Sequence, residues 1–160
     1  MAKLLVVPVS AGLDATAASK AFAAALGAQV FQPLDASAET LLAQGKSDDW
    51  FDAVVGKAVA LNTDKLVIEG IAPDADKLFL SGKNVELALS LDAGVVLALQ
   101  SDNADAAEVA HRINLAKQLY TNAPGLLEGF IIEGAAASVG EEVARLTGLT
   151  LSLIHISEPT

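Results

Sequence analysis

An α/β fold of three layers, built on a largely parallel sheet, is what the sequence predicts, and three observations predict it. Strand-like apolar runs alternate with stripes of helical spacing along the chain, the pattern of strands joined by helical crossovers. The runs are nearly uninterrupted, as in LLVVPV, LVIEG, GVVLAL and GFII, which is how strands buried on both faces read. Aromatic residues make up only 4% against 52% hydrophobic, so Ala, Leu and Val must fill a core suited to helices packed closely on a sheet.

The elements follow in order. Residues 3–9 (KLLVVPV) form the first strand, bounded by Ser10 and Gly12. Ala15, Ala18, Phe22 and Ala25 then recur at spacings of three and four, one apolar helical face ending near Gly27. Residues 28–32 (AQVFQ) read as a second strand stopped by Pro33, and a short helix over 38–44 is broken by Gly45 to Ser47. Asp48 is expected to cap a longer helix with Phe51, Val54, Val55, Ala58 and Leu61 on one face. The third strand is 65–70 (KLVIEG), followed by a polar loop with Pro73 and Gly82. Asn84 is expected to cap a helix carrying Val85, Ala88, Leu89 and Leu91, and 94–99 (GVVLAL) is the fourth strand. The clearest helix spans 104–120, with Val109, Ile113, Ala116 and Leu119 inward and Glu108 four residues before Arg112 outward. Residues 126–133 (LLEGFIIE) are the fifth strand, and 141–146 open a last helix.

The 160 residues suit one domain, and the apolar content excludes a disordered chain. Twenty acidic residues against ten basic ones leave a net charge of -10, which opposes phosphate backbones and anionic lipid, and the basic residues form no cluster. Neither nucleic acid nor membrane is therefore expected as a partner. There is no cysteine, hence no disulfide, thiolate nucleophile or cysteine metal site, and a reducing cytoplasm is the expected location. The apolar run Leu4 to Val9 is too short for a secretory leader, and no stretch of about 20 apolar residues occurs.

Residues 151–160 (LSLIHISEPT) fit neither a helical nor a strand period well and closely resemble a peptide translated from sequencing-adaptor DNA. The expected organisation is thus a domain over 1–137, the start of a following segment or linker over 138–150, and a non-native read-through tail over 151–160, with the native protein continuing beyond about residue 150.

In α/β sheets ligands gather where strands end and helix N-termini attract phosphate, so the loop after the first strand, PVSAGLDATAAS, is the first place to test. A phosphate-binding P-loop needs two glycines for close backbone approach, a lysine for the terminal phosphates and a hydroxyl for magnesium. With Thr16 as the hydroxyl, Ala15 stands at the lysine, Asp14 at the second glycine and Val9 at the first. Only the hydroxyl survives. Asp14 adds negative charge where phosphate oxygens would sit, and Lys20 lies a full turn deeper, so the loop is read as a cap and turn.

Glu69 ends an apolar strand where nucleotidases place the carboxylate that organises magnesium, although a salt bridge or loop hydrogen bond is the ordinary use of such a residue. Glu133 and Gly134 stand where nucleotide-binding relatives carry an Asn-Lys pair that reads the base, so base reading is lost as well. His111 lies on the long helix without a metal-ligand partner at the spacing zinc requires, and His155 belongs to the tail. Trp50 is expected in the core or an interface. No GxSxG elbow accompanies the serines. No metal or cofactor is expected.

The series PVSAGLDATAAS, LVIEGIAP and NVELALSLDAGVVLALQSDNADAAEVAHRINLAKQLY, in this order and spacing over about residues 2–137, resembles the N-terminal domain of the long form of bacterial phosphate acetyltransferase. That domain is similar in fold to dethiobiotin synthetase, a P-loop NTPase-like fold, but carries a degenerate P-loop. The resemblance implies a parent enzyme that transfers acetyl between coenzyme A and phosphate, with a middle domain and a C-terminal catalytic domain beyond this sequence. It implies oligomeric assembly, with this chain's own C-terminal domains and other subunits as partners. A metabolite effector such as NADH, ATP, pyruvate or phosphoenolpyruvate is implied as well. No catalytic residue of the family carries over. A glycine stands in better-preserved members where this chain has Asp14, which argues against nucleotide sensing through that loop. A ligand, if bound, would meet the strand ends at Ser10, Thr16 and Glu69. The leading expectation is a truncated, non-catalytic regulatory or assembly domain. The alternatives are an ATP-dependent carboxylate ligase of the dethiobiotin synthetase type, or an interaction module with no ligand.

Overall fold

β-branched and leucine-rich runs become five parallel strands wherever their side chains can be buried on both faces. In the computed structural model, which describes residues 2–9, 13–72, 83–100, 105–133 and 137–149, these are β1 (Ala2–Pro8), β2 (Gln29–Phe31), β3 (Lys65–Glu69), β4 (Gly94–Gln100) and β5 (Leu127–Glu133). The order across the sheet is β2-β3-β1-β4-β5, and every neighbouring pair is parallel. The helices are α1 (Ala15–Leu26), α2 (Ala36–Ala43), α3 (Ser47–Leu61), α4 (Lys83–Leu91), α5 (Ala106–Lys117) and α6 (Ala137–Thr147). The three-layer α/β architecture read from the alternating pattern is the one observed.

Strand order explains the layers. The β1-to-β2 connection steps across the sheet in one direction, and the later connections step in the other. Crossovers of a single hand therefore put α1 on one face and its successors on the opposite face. On the α1 face Val6, Val67, Val96, Ala98 and Ile131 pack with Ala18, Phe22 and Ala23. On the other face Leu5, Ile68, Leu97 and Phe130 meet Trp50, Leu87, Val109, Ile113 and Val143. The alternation along β4 is strict: Val96 and Ala98 point one way, Val95, Leu97 and Leu99 the other. Each such buried aliphatic side chain contributes roughly 1.5–3 kcal/mol relative to exposure.

Several helical faces are turned from their expected positions. In α1 the buried stripe is Ala18, Ser19, Phe22 and Ala23, and Ala25 is exposed. Asp48 does not cap α3; Lys46 holds that position without a side-chain hydrogen bond, and Asp48 and Asp49 lie in the first turn, where their charge suits the helix dipole. The buried stripe of α3 runs through Trp50, Val54 and Ala58, leaving Phe51 and Val55 at its margin. Trp50 is thus a core residue, and its indole Nε1 donates to the Pro33 carbonyl at 3.1 Å.

In α4 Leu87 is buried and Leu89 is 59% exposed, the reverse of its expected place. Leu119 is 67% exposed because the chain tightens after Lys117 into a 3-10 turn, Gln118–Tyr120. Three residues per turn instead of 3.6 rotate the stripe, and Tyr120 takes the inward position. The segment 138–150, expected to be the start of a following segment or linker, holds most of α6, and its Val143 is fully buried in the core. The tail 151–160 with His155 and the loop residues Pro73 and Gly82 lie outside the described residues.

Candidate functional site

The carboxyl end of the sheet is where the sequence places its candidates, and the structure shows what each side chain does there. Of Ser10, Thr16 and Glu69, Ser10 lies outside the described residues. Thr16 is the second residue of α1 and is half-buried. Glu69 closes β3, paired in register with Val6 of the central strand. Among the described residues no hydrogen bond joins Thr16 to Glu69. Glu69 is held instead by the end of the neighbouring strand, Gln32 Nε2 donating to its Oε1 at 3.0 Å. The loop hydrogen bond considered for Glu69 is therefore the contact observed.

Asp14 has a definite structural task. It is the N-cap of α1 in extended conformation, and its Oδ1 accepts the Ala17 amide at 3.0 Å. The Ala18 amide donates to the Asp14 carbonyl at 3.0 Å. A carboxylate thus occupies one of the amide donors at the positive end of the helix dipole that a phosphate would need. Lys20 is exposed on the next turn of the helix.

The same device recurs along this edge. Asp35 caps α2 through the Ala38 amide at 2.8 Å, and Asp105 caps α5 through the Glu108 amide at 2.9 Å.

One residue at this edge has a role that sequence reasoning missed. Asn84 lies within the first turn of α4 and does not cap it. Its Oδ1 accepts the Ile71 amide at 2.8 Å while its Nδ2 donates to the Ile71 carbonyl at 2.8 Å. This two-way bond fixes the backbone just past β3 to the start of α4, and Gly70 fits beneath it with its amide on the Val6 carbonyl at 2.8 Å. The signal was ambiguous in sequence, since Asn after a polar loop serves equally as a cap or as a partner for distant backbone.

Three lysines lie at the opposite end of the sheet. Lys3 Nζ donates to the Leu91 carbonyl at 3.0 Å, Lys65 Nζ to Leu26 at 3.3 Å and Lys117 Nζ to Thr147 at 2.8 Å. Leu91, Leu26 and Thr147 are the last residues of α4, α1 and α6, so each ammonium sits on a helix C-terminus. Lys57 lies 3.8 Å from Asp35, Lys83 3.2 Å from Glu86, and Arg112 2.9 Å from Glu108. Among the described residues no group of three or more His, Asp or Glu side chains could hold a metal ion, and His111 is exposed on α5. No described helix is long and apolar enough to cross a membrane.

No family model matches the chain. It is similar to phosphate acetyltransferases: 31% identical to that of Deinococcus radiodurans over 102 residues, 61% of this chain and 14% of the relative. It is 32% identical to the Haemophilus influenzae enzyme over 108 residues, 65% of this chain and 15% of the relative. Against the Pseudomonas aeruginosa enzyme it is 29% identical over 87 residues, 53% of this chain and 12% of the relative. The chain thus spans only a small part of the length of these relatives. Among solved structures, a de novo designed protein of P-loop NTPase fold aligns with 91% of this chain and 88% of its own at 14% identity and a TM-score of 0.40.

Proposed function

We propose that the chain is the N-terminal, non-catalytic part of a cytoplasmic phosphate acetyltransferase, and that it serves assembly or regulation of the enzyme. The parent enzyme would transfer acetyl between acetyl-CoA and phosphate, giving acetyl phosphate and CoA, through domains beyond this sequence. The observation that carries the reading is the pairing of sequence similarity to these enzymes with a first loop whose helix N-terminus is held by its own Asp14 carboxylate. A domain similar to that family, yet with a carboxylate where a phosphate would bind, suits a role that leaves chemistry to the rest of the enzyme. The partners would be the chain's own C-terminal domains and other subunits, with a metabolite effector meeting Ser10, Thr16 and Glu69 if one binds.

Three measurements test this. The purified chain is expected to form no acetyl-CoA from acetyl phosphate and CoA; a rate above the protein-free control overturns the non-catalytic assignment. Titration calorimetry with ATP and magnesium is expected to show no saturable heat, and binding at millimolar ATP would favour the dethiobiotin synthetase-like ligase instead. The assembly role predicts that this chain, replacing the matched 108 residues of the Haemophilus influenzae enzyme, preserves the size of the oligomer. A monomeric, fully active chimera would remove that role.

A further inference from the structure

Among the described residues the large apolar side chains left well exposed are Val59, Leu89, Leu115, Leu119 and Leu146, between 40% and 67% accessible. Single exposed aliphatic residues are ordinary, but these five share one layer and one end of it. Val59 and Leu89 stand two residues before the ends of α3 and α4, Leu115 two before and Leu119 two after the end of α5, and Leu146 one before the end of α6. None belongs to α2, or to α1 on the other face of the sheet.

Strand order explains why they line up. Every strand is parallel, so each following helix runs back toward the amino end of the sheet and finishes there. The order β2-β3-β1-β4-β5 lays α3, α4 and α5 side by side in that sequence, with α3 packed on α4 and α6 on α5. The five side chains thus form an apolar band across four helix ends. Their exposed fractions amount to roughly 500 Å², against roughly 300–600 Å² for the largest apolar patch of a typical monomer.

This end also differs from the chain as a whole in charge. Over the last seven residues of the four helices, 55–61, 85–91, 111–117 and 141–147, four Lys or Arg stand against three Glu, while the chain carries a net charge of -10. Two copies brought together at this band therefore escape much of the repulsion that their net charge otherwise imposes.

We propose that the band is the interface of a twofold dimer, its occupant a second copy of this chain. A dyad parallel to the helices places α3 of one copy over α6 of the other and α4 over α5, so that apolar meets apolar along the row, Val59 against Leu146 and Leu89 against Leu115. Within about a turn of the band, the same axis brings Lys57 to Glu142 of the second copy and Glu86 to Arg112 of the second copy, opposite signs in both cases. The band supplies the apolar centre of a standard interface, which buries about 800 Å² per partner. This deepens the assembly role proposed above and rests on that reading for its place in the enzyme, while the association itself belongs to this chain.

Sedimentation velocity of the intact 160-residue chain is expected to give a dimer mass at micromolar concentration. Leu115→Glu and Val59→Glu are each expected to raise the dissociation constant at least about 30-fold, because each buries an unpaired charge in the centre of the interface. Both positions are exposed in the single chain, so the urea midpoints of the variants are expected to stay in place. Lys20→Glu, on the opposite face of the sheet, is expected to leave the dimer unchanged. Lys57→Glu is expected to weaken it, and adding Glu142→Lys to recover at least about fivefold of the loss. A monomer up to about 1 mM, a dimer indifferent to Leu115→Glu, or a charge-reversed pair as weak as Lys57→Glu alone would each overturn the proposal. A monomeric chain would remove this interface and leave the acetyl-transfer rate and the size of the chimeric oligomer to decide the proposed function.

Discussion

The two ends of the sheet differ in how helix termini are satisfied, by carboxylates at one and by ammonium groups at the other. At the carboxyl end, where α1, α2 and α5 begin, Asp14, Asp35 and Asp105 accept the first free amides. At the amino end, where α1, α4 and α6 finish, Lys65, Lys3 and Lys117 donate to the last carbonyls. Both arrangements favour the helix dipole. Together they place three capping carboxylates at the carboxyl end, the customary ligand edge of such sheets.

The largest expected effect contrasts two glycines. A Cβ on Gly70, at the carboxyl end, would fall on the Val6 carbonyl oxygen with the Val7 Cα 3.1 Å away, and this backbone cannot yield without parting β1 from the loop. Gly70→Ala should cost about 3 kcal/mol or more. At the amino end the three atoms nearest a Cβ on Gly94 all belong to the flexible Glu128 side chain, so Gly94→Ala should cost less than about 1 kcal/mol. Urea denaturation midpoints of the two variants decide the matter, and equal losses would refute the contrast.

Next comes Tyr120, buried near the amino end with a hydroxyl that has no hydrogen-bond partner among the described residues. Burial pushes its pKa up from 10.0 to about 12. Below pH 10 both folded and unfolded states hold the phenolic proton, and this residue adds no pH dependence. Between pH 10 and about 12 the unfolded chain ionises while the folded one does not. Stability should therefore fall by roughly 2–3 kcal/mol across that window and level off above it. Tyr120→Phe should remove this part of the slope and be neutral or slightly stabilising at lower pH, since no hydrogen bond is lost. An identical alkaline slope in the variant would contradict it.

The caps give smaller changes. Asp14→Ala should destabilise by about 1 kcal/mol through loss of the Ala17 bond, whereas Asp14→Asn should retain most of the stability. The pair also probes the site, because Asp14→Asn removes the charge and keeps the helix N-terminus occupied. Inorganic phosphate should still show no saturable heat with that variant.

The smallest effect is expected at Lys65, an exposed residue, where Lys65→Met should cost about 0.5 kcal/mol at low salt and less at high salt. A salt-independent loss would point to packing in place of the helix dipole.

Much of this was legible in the residues themselves. Strand positions and the α/β class follow from apolar runs bounded by Gly, Pro and Asp, because burial on both faces imposes a continuous pattern that local sequence displays. Asp14 was readable as a residue hostile to phosphate, and the structure adds its hydrogen bond to Ala17. The pairing of Gln32 with Glu69 was not readable, since it requires β2 to lie beside β3, a neighbour 37 residues away in the chain. The role of Asn84 was missed for the same reason. Its partner Ile71 lies across a loop, and a local rule assigns it to the helix it precedes.

By itself the sequence determined the layering, the acidity and the carboxylate that stands just ahead of the first helix, because composition and period are local properties that burial and charge act on directly. Only the tertiary structure decided which face each helix turns inward, which carbonyls the lysines reach and where the sheet leaves an edge. Those outcomes depend on strand order, and strand order is set by how distant segments share one core.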